Sequence, residues 1–352
     1  LKIEYYIRDQ TALLEDIVMD TLTIFEENGL SLDERQRKAF NQFNELVYLG
    51  QITTEVVTKC FCGKKNFKLL SRYDRFGLPF GTQICYACGL ISQTLRIHPK
   101  SLPKFYDLIY WPLVSGGGEF LTPPKKDETF AQLIRNIPAD VSSLKIFEVG
   151  CGSGQRISGL RDRLASSISD ISMIGCDFSS AALKLAKEKG IKTIQGGLDE
   201  LAVEGKCDIL IMSHVFEHFP DLTHATKLIA KMTHQNSLVY IEVPGIMDLE
   251  NKAEYSFNYQ LYSVLAHTYN FSLSTLEYVL STCGFVLVEG DEYVRAVFRK
   301  GKSTIQSSSH YERSMEGLRK ARAKQIAYES RRNNIFLRYF RNVAKAVLGR
   351  MN

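Results

Sequence analysis

The sequence predicts an α/β chain: a doubly wound, mostly parallel seven-stranded sheet, preceded by a small metal-binding module and flanked by helical extensions. Three observations predict it. From Leu144 onward, short apolar runs alternate with helical patterns, as strands joined by crossover helices do. The first of these runs carries Glu148 near its end and opens into Gly150-x-Gly152-x-Gly154, the build of a buried strand feeding a glycine loop and a helix. Upstream lie two close cysteine pairs, Cys60-Phe61-Cys62 and Cys85-Tyr86-Ala87-Cys88, each followed by glycine.

The 352 residues suffice for one large domain with appendages or for two domains. Hydrophobic residues make up 45% and charged residues 24%, the balance of a soluble globular chain. No apolar run reaches the ~18 residues of a membrane span. Leu1-Lys2-Ile3-Glu4-Tyr5 lacks the basic-then-apolar build of a secretory signal. Four cysteines are clustered and four more, Cys151, Cys176, Cys207 and Cys283, are scattered among apolar residues, which points to a reducing, cytoplasmic compartment. The net charge of +5 is unevenly spread: residues 311–352 hold 11 Lys/Arg and three Glu, a net of +8, so residues 1–310 carry −3.

Residues 1–58 read as a helical extension. Leu13, Leu14, Ile17, Val18, Leu22 and Phe25 follow a 3.6-residue period, and Asn28-Gly29 stops it. Ser31-Leu32-Asp33-Glu34 has the form of a capping box before a second helix through Leu49. Residues 59–100 hold the cysteine pairs. Two pairs in a reducing compartment suit a structural, tetrahedral zinc held by Cys60, Cys62, Cys85 and Cys88. Such a metal would staple a segment too short for its own core. The C-x-C spacing of the first pair is tighter than usual and leaves four buried free thiols as the alternative.

Residues 101–143 form a connector. Phe105, Tyr106, Tyr110 and Trp111 precede Gly116-Gly117-Gly118, and serve either as a lid or as aromatic packing between domains. A helix is expected over 127–137. The sheet core spans 144–300, with strands expected at 144–149, 173–177, 191–195, 207–213, 237–243, 285–289 and 292–298, the last two as an antiparallel pair. Helices are expected at 179–188, 221–233 and 273–283. Ligands of such sheets bind beyond the strands' carboxyl ends. Residues 301–352 comprise a Ser-rich linker, 303–309, and a basic amphipathic helix with Phe336, Phe340, Val343 and Val347 on one stripe and Arg338, Arg341 and Lys345 on another. Such a helix suits a membrane surface, nucleic acid or a second subunit.

The glycine spacing differs from the G-x-G-x-x-G of dinucleotide sites, and no phosphate-binding G-x-x-x-x-G-K-[ST] is present. Glu148-x-Gly150-x-Gly152-x-Gly154, followed by Asp177 at the end of the second strand, resembles the class I S-adenosylmethionine-dependent methyltransferases over residues 144–300. The resemblance implies their Rossmann-like core and S-adenosylmethionine as cofactor. It implies that Glu148 faces the methionine ammonium, that Asp177 takes the ribose hydroxyls and that Phe178 packs on adenine. Backbone near Gly197 and Leu198 would read the adenine edge, and Ser213 would line the same pocket.

Cys60-x-Cys62-Gly63, then Asp74-Arg75-Phe76-Gly77-Leu78-Pro79, Cys85-x-x-Cys88-Gly89-Leu90 and Phe105-Tyr106-Asp107 resemble the zinc-binding N-terminal region of bacterial sugar methyltransferases, including those of antibiotic pathways and surface-polysaccharide loci. The implied acceptor is a sugar, nucleotide-linked or within a glycan precursor. The deoxysugar C-methyltransferases carry a further C-terminal domain where this chain has a basic helix, a departure that favours O- over C-methylation and an enzyme at the inner face of a membrane or paired with its own copy through 311–352.

Ser213-His214-Val215-Phe216-Glu217-His218 follows the fourth core strand, where the acceptor is expected. Methyl transfer is an in-line displacement at a sulfonium carbon, so alignment does most of the work. A sugar hydroxyl benefits from a base. His218 or His214 can accept its proton, imidazole titrating near pH 6.5. Glu217 can orient a histidine or bind a hydroxyl. Both residues also fit a purely structural or cofactor-loop role. His267, before the helix at Leu273, can face the same cleft, as can Tyr106 and Tyr110. Two rival readings stand beside sugar methylation: an RNA methyltransferase, and an inactive cofactor-binding scaffold acting through its tail. The slightly acidic body and the absence of an N/D-P-P-Y motif after strand four count against nucleic acid.

Overall fold

The computed structural model describes residues 30–114, 130–302 and 310–348, with side chains described as far as residue 334 and that of Trp111 left out. The helix expected within 11–25 with its stop at Asn28-Gly29, the Gly116-Gly117-Gly118 turn, residues 127–129 of the connector helix, the Ser-rich linker and the Phe336/Phe340/Val343/Val347 stripe with its basic counterpart lie outside the described residues or side chains.

Helix α1, Glu34–Tyr48, starts two residues later than the capping box expected at Ser31 and Glu34. Its cap is Asp33: the Asp33 carboxylate accepts from Gln36 N–H (2.8 Å) and Gln36 Oε1 accepts from Asp33 N–H (3.1 Å). The expected helical extension also contains a strand, β1 (Thr54–Val56). It pairs antiparallel with β5 (Leu95–Ile97) and so ties residues 54–56 to the far end of the cysteine segment. Between them β2 (Phe67–Ser71), β3 (Thr82–Cys85) and β4 (Ile91–Gln93) form an antiparallel meander. The connector is helical over Leu102–Phe105 and Trp111–Val114, with one π-helical turn, Tyr106–Tyr110, between. Phe105, Ile109 and Leu113 are buried with Phe43 of α1 and with Phe76, Leu78 and Phe80. The aromatic segment is therefore packing along one side.

The central sheet consists of β6 (Ser143–Val149), β7 (Asp170–Asp177), β8 (Lys192–Gln195), β9 (Cys207–Ser213), β10 (Thr233–Glu242), β12 (Phe285–Gly290) and β13 (Arg295–Lys300), in the order β12-β13-β10-β9-β6-β7-β8. The five strands from β10 to β8 are parallel, and β13 runs antiparallel to both β10 and β12. The strand alternation sorts side chains to two faces. Ile146, Ile209, Ile211, Leu238 and Tyr240 pack with Ile157 and Leu160 of α2 (Gln155–Leu164) and Ala186 of α3 (Ser180–Glu188). Phe147, Val149, Leu210, Met212, Val239 and Ile241 pack with Ala225 and Ile229 of α4 (Leu222–Met232) and Leu276 and Val279 of α5 (Leu273–Ser281). After β6 the chain builds outward through β7 and β8, then returns to add β9 on the other side. That reversal leaves a crevice beyond the carboxyl ends of β6 and β9.

The cysteine segment is built into this core. Strand β11 (Tyr269–Asn270), from the connection between β10 and α5, pairs with β4 and completes a four-stranded sheet, β11-β4-β3-β2. Helix α6, His310–Leu348, starts on the same module. Ser314 Oγ donates to Gly89 O (3.3 Å), and Met315, Leu318 and Ala321 are buried against Leu70, Ile84, Ile91, Leu249 and Tyr259. Gly89, at φ +69°, lies so near this helix that a Cβ would stand 2.4 Å from the His310 carbonyl carbon. Among the described residues no helix is long and apolar enough to cross a membrane.

Candidate functional site

The crevice begins with the glycine loop. Gly150 and Gly154 have φ of +67° and +73°, a region costly for other L-residues. Each is also closely packed: a Cβ on Gly150 would lie 2.5 Å from Val215 Cγ2, and one on Gly154 2.2 Å from Ile191 Cδ1. Gly152, at φ +52°, meets nothing within 4 Å and faces open space. Asp177, at the end of β7, ties this loop down. Its Oδ2 accepts from Gly152 N–H (2.9 Å) and its Oδ1 from Ser179 N–H (2.8 Å). A carboxylate offers about four acceptor positions, so two remain for a diol.

Glu148 is fully buried at the end of β6, and its Oε2 has no hydrogen-bond partner among the described residues. Burial pushes its pKa up to about 8, against a smaller downward pull from Arg156. A buried acid with a free oxygen at the head of a glycine loop suits an ammonium group. Phe178 is 60% exposed and its ring borders Gly197, with Cζ 3.2 Å from where a Gly197 Cβ would sit. Gly197 N–H donates to Glu200 Oε2 (2.7 Å), so an adenine edge reading that N–H has to displace Glu200. The Leu198 side chain is in the core. With an ammonium partner, a diol acceptor and an exposed ring ranged along one loop, these residues fit S-adenosylmethionine.

Ser213 ends β9 and donates to Glu242 Oε2 (2.8 Å). Arg156 Nη1 bonds the same oxygen (2.8 Å). Glu242, which sequence reasoning missed, is thus a hub joining the ends of β9 and β10 to α2. Its partners lie 29 and 86 residues away in the chain, and no local pattern marks them.

His214 follows, held at φ +55°, a strained conformation for a non-glycine residue, by its N–H bond to Glu242 O (2.7 Å). Its ring is 43% exposed; Nδ1 lies 3.7 Å from Glu217 Oε1 and Nε2 3.9 Å from Glu242 Oε1. Burial lowers its pKa, but the carboxylates of Glu217 and Glu242 outweigh that and leave it raised. Glu217 is 1% exposed, and neither of its oxygens has a hydrogen-bond partner among the described residues. Burial alone would raise its pKa; the surrounding His218, His214 and His267 bring it down to about 2.

His218 lies against Ala266 O (2.8 Å) and Tyr106 Oη (3.2 Å) through Nδ1, and its Nε2 is 3.7 Å from Glu217 Oε1. The Ala266 carbonyl can only accept, so Nδ1 carries a proton, and Nε2 is the ring nitrogen that faces Glu217. The His267 ring is 5.0 Å from that of His218, and burial pushes its pKa down to about 3. Tyr106 and Tyr110 stand edge-on to His218 at 6.2 and 6.1 Å. The structure thus brings His214, Glu217, His218, His267 and both tyrosines to one wall of the crevice.

The loop carrying His267 is held by the cysteine module. Asp74, fully buried, accepts from Leu265 N–H (3.1 Å), Phe76 N–H (3.0 Å) and Leu78 N–H (2.9 Å). Burial pushes its carboxyl up to about 7, while the three donors pull it down. Gln93 Nε2 donates to Leu265 O (2.7 Å), Gln93 N–H to Thr268 O (3.0 Å) and Arg75 N–H to Ser263 O (3.0 Å). Within the module, Cys60 Sγ and Cys88 Sγ are 3.5 Å apart, and Cys62 Sγ and Cys85 Sγ 3.6 Å. All four sulfurs lie within 4.8 Å of one another. Tetrahedral zinc–thiolate bonds of about 2.3 Å place sulfurs ~3.8 Å apart, so the four thiols could hold zinc with little movement.

Residues 125–289 match the family model described as a methyltransferase domain. Malonyl-[acyl-carrier protein] O-methyltransferase of Priestia megaterium is 28% identical over 116 residues, which cover 31% of this chain and 41% of that protein; the match thus spans less than half of the relative's length. Among solved structures, an S-adenosylmethionine-dependent methyltransferase of Thermotoga maritima is 18% identical with a TM-score of 0.36, covering 49% of this chain and 86% of that one. Another, of Mesorhizobium loti, is 14% identical with a TM-score of 0.37, covering 49% and 97%. The chain carries a methyltransferase domain over residues 125–289.

Proposed function

We propose that this methyltransferase domain methylates a hydroxyl of a sugar, free as a nucleotide-linked precursor or within a glycan. The observation that carries the proposal is His214: an imidazole open to the crevice, with a carboxylate on either side, at the end of β9. S-adenosylmethionine bound at the glycine loop supplies a methyl group on sulfonium, a good leaving group. Glu148 takes its ammonium and Asp177 its ribose. The acceptor hydroxyl would take that methyl group, leaving S-adenosylhomocysteine, and its proton would pass to His214. Glu217 and Glu242 favour the imidazolium that results.

Methyl transfer from labelled S-adenosylmethionine to sugar nucleotides, glycan extract, malonyl-acyl carrier protein and RNA tests the reading. Label in the sugar or glycan fraction supports it. Label in the acyl carrier or RNA alone, or in none, contradicts it. Four-thiolate zinc at Cys60, Cys62, Cys85 and Cys88 belongs to the same proposal as the staple of the module that holds the His267 loop.

A further inference from the structure

We infer that Glu217, His218 and His267 form a second metal site, separate from the cysteines, that binds a divalent transition-metal ion and presents it to the acceptor hydroxyl. One carboxylate oxygen and two imidazole nitrogens from these residues lie within 4.8 Å of one another. The Glu217–His218 edge is 3.7 Å. Ligands at about 2.0–2.1 Å from a tetrahedral ion are ~3.4 Å apart, so rotamer adjustments of a few tenths of an ångström close that edge.

Three further features favour an ion over a loose cluster of side chains. The Glu217 carboxylate is buried and receives no hydrogen bond among the described residues. A buried anion without donors is costly, and a cation at its oxygens removes the cost. His218 uses Nδ1 on the Ala266 carbonyl (2.8 Å), the outer-shell bond that orients a metal-bound imidazole and keeps Nε2 for the metal. The third ligand comes from a loop fixed by Asp74, Gln93 and Arg75, so the set is preorganised from two distant parts of the chain.

Two imidazoles and one carboxylate suit zinc, iron, cobalt or manganese, and they leave coordination positions open. A hydroxyl bound at an open position loses its proton more readily, and His214, across Glu217 at 3.7 Å, is within reach to take it. This role deepens the sugar-hydroxyl reading and rests on it; metal binding itself does not.

The test is zinc uptake by the full chain, stripped of metal and then dialysed against buffered Zn2+, with bound zinc counted by mass spectrometry. Wild type should take up about one ion more per chain than Glu217→Gln, a near-isosteric change, and about one more than His267→Ala. Circular dichroism and S-adenosylhomocysteine binding serve as checks that both variants are folded. Equal uptake by the wild type and a folded Glu217→Gln overturns the inference. Neither methyl donor nor acceptor enters the count, so failure here and failure of the methyl-transfer reading are distinguishable. If zinc uptake differs as expected while no sugar is methylated, the site stands and its substrate role falls.

Discussion

Raising the pH from 6 to 8 should tighten S-adenosylhomocysteine binding by up to about fiftyfold, through Glu148. The carboxyl is buried, has an unpartnered oxygen and is pushed up to about 8 in the ligand-free protein. An ammonium partner favours the ionised form, so the pKa falls on binding. Below about 8, binding has to expel a proton, and each pH unit costs about 1.4 kcal/mol, or tenfold. With the carboxyl half ionised at pH 8, the two units give about 2.3 kcal/mol when the bound pKa lies well below 6. Affinity is full above about 8 and declines as pH falls. Calorimetry at pH 6, 7 and 8, in buffers of different ionisation enthalpy, reads both the slope and a release of about one proton per ligand. Glu148→Gln should be weaker at pH 8 and nearly flat with pH. A flat wild-type profile, or a slope that survives in Glu148→Gln, refutes the assignment. The same shift acts oppositely on the free protein: a folded pKa above the unfolded 4.5 stabilises at low pH, and that contribution is lost as pH rises through about 8.

Asp177→Ala removes the acceptor of two backbone N–H groups, at 2.8 and 2.9 Å, as well as the proposed ribose contact. With charged hydrogen bonds worth about 1.5–3 kcal/mol each, S-adenosylhomocysteine affinity should fall at least ~tenfold by calorimetry, and unchanged affinity speaks against the cofactor site. Purified protein should contain zinc that Cys62→Ser loses, with a lower unfolding temperature; metal content and thermal midpoint indifferent to that change rule out the four-thiolate staple. His214→Gln should lower kcat about 10²–10⁴-fold while leaving S-adenosylhomocysteine affinity within a few fold, and an undiminished kcat removes His214 as the base.

How much of this was legible in the sequence depends on the range over which each feature is encoded. Strand β9 is found where its apolar run predicts, and the other core strands start or end within a few residues of theirs, because a buried strand writes its own signal in consecutive side chains. The glycine loop is legible for the same reason: Glu148 to Gly154 are neighbours in the chain. Capping geometry was off by two residues because Ser31-x-x-Glu34 and Asp33-x-x-Gln36 satisfy similar rules, and only the folded backbone selects one. Long-range partners left no trace. Asp74 meets Leu265 across 191 residues, and Arg156 meets Glu242 across 86. Asp74, Arg156 and Glu242 read in sequence as ordinary surface charges. The start of α6 looked like the start of a basic tail, since Met315, Leu318 and Ala321 are too few to announce a buried face among so many Arg and Lys.

The two halves of the crevice are built from different material. Glu148, the glycine loop and Asp177 sit on β6 and β7, in the interior of the sheet, where any change disturbs the core. His267, Tyr106 and Tyr110 are presented by segments that depend on the cysteine module: β11 is a strand of its sheet, Asp74 and Gln93 hold the loop, and the π-helical turn packs beside Phe76, Leu78 and Phe80. Glu217 and His218 lie on the turn after β9, where the halves meet. The module therefore bears on the proposed acceptor side through positions it fixes rather than through atoms it contributes, and α6, seated against it at Gly89, holds it there. Loosening the cysteine cluster should reach the proposed acceptor wall first and the glycine loop last, because among the described residues the Asp177 carboxylate is hydrogen-bonded by Gly152 and Ser179, neither of which belongs to the module.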